Sequence, residues 1–146
     1  ETDQKVIVWA TYVHNIHEII GALNEKYGSE SVVSIYGEVS QQDRMVAVDR
    51  FQKDNTCRFF VGNPTTGGYG LTLTAAKYVI YYSNNYNLEV RKQSEDRAHR
   101  IGQTKNVVYI DIMAKDTIDE RIVQALKRKN QLSAKTLGDK AKDWLL

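Results

Sequence analysis

The chain places its most chemically suggestive side chains in one polar stretch, from Gln93 to Gln103. If residues 88–101 form a helix, Gln93, Arg97 and Arg100 are spaced at i, i+4 and i+7 and share one face. Two guanidinium groups on one stripe repel each other unless an anion lies opposite, and the planar guanidinium fork matches phosphate oxygens. Charge spacing alone still favours a solvated basic face, so the choice depends on the elements that position these residues.

Composition and length restrict the class of protein. The 146 residues fit one domain with one core, and 42% hydrophobic with 26% charged residues is typical of a globular domain. No apolar run approaches the roughly 20 residues that a membrane helix needs, and a net charge of +2 does not by itself indicate nucleic-acid binding. The single Cys57 excludes an internal disulfide, and the three histidines do not assemble into a zinc cluster, so we predict no metal site.

Apolar segments of strand length alternate with helical patterns along the whole chain. Runs rich in β-branched and aromatic residues predict strands over residues 5–10, 31–36, 58–61, 78–82 and 107–113. Helices or helical turns are predicted over residues 12–27, after Ser40, over 71–76 and 88–101, from Thr117 onwards, and within 131–146. The alternation implies right-handed crossovers, so residues 1–146 are predicted to form one α/β domain with three layers, a mainly parallel sheet and helices on both faces.

Two features of the predicted elements can be checked directly. The helix after Ser40 has Met45, Val48 and Phe51 as its predicted apolar stripe. Three loops are predicted to meet at the carboxyl edge of the sheet, where ligands bind in folds of this class: residues 11–13, 63–70 and 83–87.

The second of these loops contains Gly67-Gly68-Tyr69-Gly70. Glycines at such a position allow backbone N–H groups to approach an anion closely, and a following helical turn adds a favourable partial charge. A tight strand-to-helix turn that needs positive φ explains the same glycines equally well. The chain has no Gly-Lys-Ser/Thr triplet and no Walker B acids. Its arginines therefore suit a nucleotide's terminal phosphate, but nothing in it holds the nucleotide, which predicts half of a site completed by another lobe.

Five segments resemble motifs of superfamily-two helicases and occur in that family's order. Within that superfamily the chain is most similar to the Swi/Snf-type DNA translocases. Lys5–Tyr12 resembles motif IV, and Arg97–Gln103 resembles motif VI in its Swi/Snf version. The other matches are the "G-x-x-S-x-x-x-R…F" segment, motif V and the segment after motif VI, found at residues 37–51, 67–76 and 116–120. The chain departs from the family at residues 63–66, where Asn-Pro-Thr-Thr replaces Ser-Thr-Arg-Ala, and at residues 86–88, where Tyr-Asn-Leu replaces Trp-Asn-Pro.

The resemblance implies a RecA-like C-terminal lobe that works with an N-terminal lobe of the same polypeptide. ATP and Mg²⁺ would be held mainly by that other lobe, and Arg97 and Arg100 would reach its phosphates, with Arg100 as the arginine finger proper. Both arginines are expected to be exposed. Gln93, Gly68 and Gly70 would serve the nucleotide side, whereas residues of motifs IV and V, Thr11 and Thr66, would contact the backbone of double-stranded DNA without reading its sequence.

The sequence is also compatible with two other functions. The chain could be a lobe of a strand-separating DNA or RNA helicase, or a non-catalytic nucleic-acid-binding module that keeps the fold. If the chain is a lobe of a translocase or a helicase, the isolated lobe is expected to be inactive as an ATPase. The lack of inserts suggests a minimal bacterial or phage relative, and hence a cytoplasmic protein, or a nuclear one if the source is eukaryotic.

Overall fold

The computed structural model describes residues 3–37, 39–66, 71–85, 87–100 and 104–137. Strands and helices alternate through these residues, with one short 3₁₀ turn at Ser29–Ser31. The elements are β1 (Lys5–Trp9), α1 (Val13–Tyr27), β2 (Val32–Ile35), α2 (Gln41–Lys53), β3 (Phe59–Gly62), β4 (Ala76–Tyr81), α3 (Leu88–Ala98), β5 (Val108–Asp111) and α4 (Ile118–Leu137).

The five strands form one sheet in the order β2-β3-β1-β4-β5, and every neighbouring pair is parallel. Alternate residues of the strands face opposite sides, as the period of two requires. Ile7 and Trp9 of β1 belong to a core with α2 and α3, whereas Val8 packs in a second core with α1. Helices therefore cover both faces, and the predicted three-layer α/β architecture is confirmed.

The α2 helix begins as predicted, but its buried face differs. The backbone N–H of Asp43 donates to Ser40 Oγ at 3.1 Å, so the predicted cap is confirmed. Met45, which was assigned to the apolar stripe, is 66% exposed, and Ala47 is buried with Phe51 in its place. The buried residues of this helix are thus an i, i+4 pair. The predicted residues are spaced by three throughout, and such a series drifts away from one face of a helix.

Three other element boundaries differ from the predictions. Residues 74–75 form a turn and Ala76 already begins β4, so the predicted helical turn over 71–76 is wrong. The arginine helix ends at Ala98 rather than at residue 101, because His99 has an extended backbone with φ −125° and ψ 115°. Helix α4 continues without a break through Leu137. Residues 131–137 are thus not a separate helix, and the rest of the predicted tail lies outside the described residues.

Helix α4 is the longest helix, at 20 residues, and its sequence is rich in charged residues. Within the described ranges, no helix combines the length and apolar character needed to cross a membrane.

Substitution of Gly62, the last residue of β3, is predicted to have a measurable effect on stability. A Cβ at this position would lie 2.7 Å from the backbone oxygen of Ile35 and 3.3 Å from the Trp9 ring. Because a backbone oxygen of a paired strand cannot move aside, we expect Gly62→Ala to lower the free energy of unfolding by about 1–3 kcal/mol in urea denaturation.

A matched control for this substitution is Gly21→Ala in α1. A Cβ there meets no atom within 4 Å, so removal of a mid-helix glycine should raise the free energy of unfolding by roughly 0.5–1 kcal/mol. Equal effects of the two substitutions would contradict the close approach of β2 and β3 at Gly62.

Candidate functional site

Helix α3 bears the arginines that the sequence singled out, and it has well-defined ends. Asn87 Oδ1 accepts hydrogen bonds from the backbone N–H groups of Glu89 at 3.0 Å and Val90 at 3.2 Å. This cap satisfies two of the unpaired N–H groups at the start of the helix, and the Glu89 carboxylate lies where the helix dipole favours negative charge. The helix thus begins right after the carboxyl edge of β4.

A largely buried group of four side chains fixes this first half of α3: Arg91, Asn84, Glu95 and Asp111, hereafter the Arg91 network. Arg91 Nε donates to Glu95 Oε1 at 2.9 Å, and Nη1 donates to Asn84 Oδ1 at 2.9 Å. Nη1 and Nη2 also donate to the two carboxylate oxygens of Asp111, at 2.6 and 3.1 Å. The side chains of Arg91 and Asp111 are each 2% exposed. One guanidinium therefore joins α3 to the β4–α3 loop and to β5.

Tyrosine side chains complete the surroundings of the network. The Arg91 guanidinium carbon lies 3.5 Å from the centre of the Tyr81 ring, and Tyr81 Oη is 2.7 Å from Ser94 Oγ. Burial raises the pKa of Tyr81 far above its ordinary value, so this phenol stays neutral. Burial opposes the charge on Arg91, but the hydrogen bonds and negative charge of Asp111 outweigh it and raise the Arg91 pKa further. Arg91 therefore remains charged beside the neutral Tyr81 phenol.

Arg97 is buried, contrary to the expectation that it would be exposed. Its residue exposure is 7%, and its guanidinium carbon lies 5.3 Å from the centre of the Trp9 ring. The cause is helical spacing, since Arg97 follows Arg91 and Ser94 at intervals of three and shares their inward face. Burial lowers the pKa of Arg97.

Arg100 is exposed, so the expectation of exposure is confirmed for this arginine. It lies beyond the end of α3, after the extended His99, and so it does not share a helical face with Gln93 and Arg97. Gln93 is half-buried, and its amide donates to Glu89 Oε1 at 3.3 Å. The three residues that the sequence grouped on one stripe thus occupy three different environments.

The predicted meeting of loops at the carboxyl edge is confirmed. The backbone N–H of Thr11 donates to Ser83 Oγ at 2.8 Å, and Asn63 Nδ2 donates to the Thr11 carbonyl oxygen at 3.0 Å. Thr11 Oγ1 is buried and makes no hydrogen bond to any described residue. Thr66 is half-buried and closes a turn by donating its N–H to the Asn63 carbonyl at 3.0 Å.

Two of the predicted nucleotide-side residues, Gly68 and Gly70, lie outside the described residues, as does Gly67 of the same loop. Among the residues that are described, no three His, Cys, Asp or Glu side chains form a group that could hold a metal ion.

The structure separates the two predicted binding regions. Helix α3 starts near the carboxyl edge, whereas the backbone N–H of Leu73 donates to the Arg97 carbonyl at 2.9 Å near its far end. Leu73 precedes the amino end of β4 by three residues. The helix thus runs away from the carboxyl edge, and Arg100 lies beyond its far end while Thr11 remains at that edge.

The Arg91 network was not predicted from the sequence, although two signals for it were present. Arg91 and Glu95 are opposite charges at i, i+4 of a predicted helix. Asp111 interrupts an otherwise apolar strand, where an acid requires a buried partner. Neither signal predicts that Arg91 of α3 binds Asp111 of β5, because these two residues are 20 positions apart in the sequence.

Comparison with known proteins agrees with this geometry. Residues 1–102 match the helicase conserved C-terminal domain family. The ATP-dependent helicase FUN30 of Saccharomyces cerevisiae is 32% identical over 143 residues, covering 96% of this chain and 12% of that protein. The crystal structure of the C-terminal part of the Fun30 ATPase domain has a TM-score of 0.75 at 28% identity, covering 84% of this chain and 39% of that one.

A second solved structure extends the match to nearly the whole chain. The SWI2/SNF2 ATPase core of Sulfolobus solfataricus in complex with double-stranded DNA has a TM-score of 0.70 at 28% identity, covering 94% of this chain and 29% of that chain. These RecA-like neighbours confirm the predicted fold, although the chain spans only a small part of each relative's length. The chain therefore belongs to the helicase conserved C-terminal domain family, as a C-terminal lobe of the superfamily-two, Swi/Snf type.

Proposed function

We propose that this chain is the second motor lobe of an ATP-dependent translocase on double-stranded DNA, and that Arg100 is its arginine finger. The observation that supports the proposal is the exposure of Arg100 just past the end of α3, whose other end is held by the buried Arg91 network. An exposed guanidinium on a rigid base, in a chain without a phosphate-holding motif, suits a phosphate bound elsewhere.

The nucleotide itself is assigned to an N-terminal lobe of the same polypeptide. ATP with Mg²⁺, when bound there, supplies the phosphoryl group that is transferred to water. Arg100 would bind that group's oxygens across the cleft and stabilise the charge that develops on them. Arg97 packs against Trp9 and would support the end of α3 that precedes Arg100. Gln93 would help to position the helix through its hydrogen bond to Glu89. Gly68 and Gly70 are proposed to shape the loop between the nucleotide and DNA sides.

The carboxyl edge is the proposed contact with the DNA backbone. Thr11 and Thr66 lie in loops that are tied together there by Asn63 and Ser83. Thr11 would support this contact by joining the loops, because its hydroxyl is buried and its N–H and carbonyl are bonded to Ser83 and Asn63. Such contacts give affinity without sequence preference. Support also comes from the Sulfolobus neighbour, which was solved with double-stranded DNA.

The proposal predicts where ATPase activity will be found. A protein with both lobes should hydrolyse ATP faster when double-stranded DNA is added, whereas this chain alone should show no activity above background. The same two-lobe protein should displace a triplex-forming strand from duplex DNA but should not separate a simple forked duplex.

Other results would favour the alternatives. Efficient separation of the forked duplex would indicate a strand-separating helicase, and nucleic-acid binding without any stimulated hydrolysis would indicate a binding module. Either result would overturn the translocase proposal.

A further inference from the structure

We infer that Arg91 is a positioning residue for ATP hydrolysis, and that it acts by fixing the orientation of α3 and hence the location of Arg100. This inference rests on the proposed function. Arg91 itself is 3% exposed, so we assign it no direct contact with a nucleotide. Its effect must therefore pass through the helix.

The geometry of the Arg91 network leaves α3 little freedom to rotate or slide. The guanidinium group is a rigid plane. Its Nε–H donates to Glu95 on α3, and its Nη1 and Nη2 fork donates to Asp111 on β5. Asn84 binds Arg91 Nη1 through its oxygen and Asp111 Oδ1 through its amide nitrogen, at 2.9 and 2.8 Å. A turn of the helix would break several of these bonds together.

Further hydrogen bonds extend this restraint along the helix. Ser94 Oγ lies 2.7 Å from both Tyr81 Oη and the Arg91 carbonyl oxygen, and Tyr109 Oη donates to the Glu95 carbonyl at 3.2 Å. These contacts restrain the first two turns of α3, which face β4 and β5, while Arg97 packs against Trp9 near the other end. Arg100 projects from the opposite end.

Because Arg91 lies in the first half of α3 and Arg100 just beyond its far end, a small tilt of the helix at Arg91 displaces Arg100. From Arg91 to Ala98 the helix rises about 10 Å, so a tilt of roughly 6° moves its end by about 1 Å. A misplacement of about 1 Å can slow an enzyme by about 10²-fold. A buried ion network is also an unusual choice for stability alone, because apolar side chains of similar volume are often as stabilising. Directional hydrogen bonds, in contrast, specify orientation.

The test compares two variants in the two-lobe protein. The triple variant Arg91→Met/Glu95→Leu/Asp111→Leu replaces the charges with apolar groups and should retain or exceed the wild-type melting temperature. Arg91→Lys keeps the charge, but its ammonium group lacks the planar set of donors that binds Glu95 and Asp111 together. We expect each to lower kcat for DNA-stimulated hydrolysis by about 10- to 100-fold, while KM for ATP and for DNA changes by less than about threefold.

Arg50→Lys is the matched control, since Arg50 also contacts two acidic residues, Glu30 and Asp54, but on the surface of α2. It should leave kcat unchanged. A second comparison combines Arg91→Lys with Arg100→Ala. If Arg91 acts only through Arg100, the double variant should be no slower than Arg100→Ala alone, within about twofold.

The outcomes separate this inference from the proposed function. A folded Arg91 variant with wild-type kcat, or effects of Arg91→Lys and Arg100→Ala that multiply, would overturn the positioning role alone. If Arg100→Ala itself retains the wild-type rate, the arginine-finger proposal fails. If the triple variant does not fold, Arg91→Lys decides the question by the same kcat criterion.

Discussion

Arg100→Ala, in a protein that contains both motor lobes, is expected to lower kcat for DNA-stimulated ATP hydrolysis by 10³-fold or more. The reason is that a guanidinium aimed at the transferring phosphoryl group stabilises charge that is greatest in the transition state. A 10³-fold loss corresponds to about 4 kcal/mol of transition-state stabilisation. Steady-state kinetics with saturating DNA provide the measurement. KM for ATP should change little, because most ground-state binding is assigned to the other lobe.

Two controls sharpen this prediction. Arg50→Ala removes an arginine from the surface of α2 and should leave kcat within about twofold, as a surface ion pair contributes little. Arg100→Lys keeps the charge but loses the planar fork, so its rate should stay well below wild type. A decrease of less than about tenfold in Arg100→Ala would contradict the role of an arginine finger.

Asp111→Ala is expected to have the largest effect on stability. It removes both hydrogen bonds from Arg91 to Asp111 and the one from Asn84, and it leaves the Arg91 charge buried with one carboxylate fewer. Breaking a buried pair in this way costs about 3–5 kcal/mol. Urea denaturation of the chain should show this decrease in the free energy of unfolding.

The matched control is Asp49→Ala on α2. Asp49 pairs with Lys53 at i, i+4, and both side chains are mostly exposed, so the change should be below about 1 kcal/mol. A similar small effect for Asp111→Ala would contradict the central position of Asp111 in the Arg91 network.

Those parts of the structure that depend on local pattern could be predicted from the sequence. Strand β1 and the Ser40 cap follow from short-range signals, a β-branched apolar run and a side-chain oxygen three residues before its N–H partner. The meeting of loops at the carboxyl edge follows from the alternation of strands and helices, which determines where parallel strands end.

What could not be predicted depends on how α3 packs. Spacing placed Arg97 on the same face as Gln93, but the helix turns Arg97 inward towards Trp9 because Arg91 and Ser94 define its buried side. The end of α3 at Ala98 also removes Arg100 from any helical face. The inward position of Arg97 depends on contacts of α3 with β1, β4 and β5, about which a periodic pattern contains no information. Residue type alone favoured solvent for Arg97, since arginine is rarely buried.

The central claim is that Arg100 stabilises charge on a phosphoryl group held by another lobe, and the affinity for a transition-state analogue tests it most directly. Binding of ADP and of ADP with aluminium fluoride should be measured with Mg²⁺ and DNA, in the wild-type two-lobe protein and in Arg100→Ala. We expect the variant to bind ADP within about threefold of wild type but to lose about 10²-fold or more of its affinity for the analogue. Equal losses for both ligands, or no loss for the analogue, would contradict the claim.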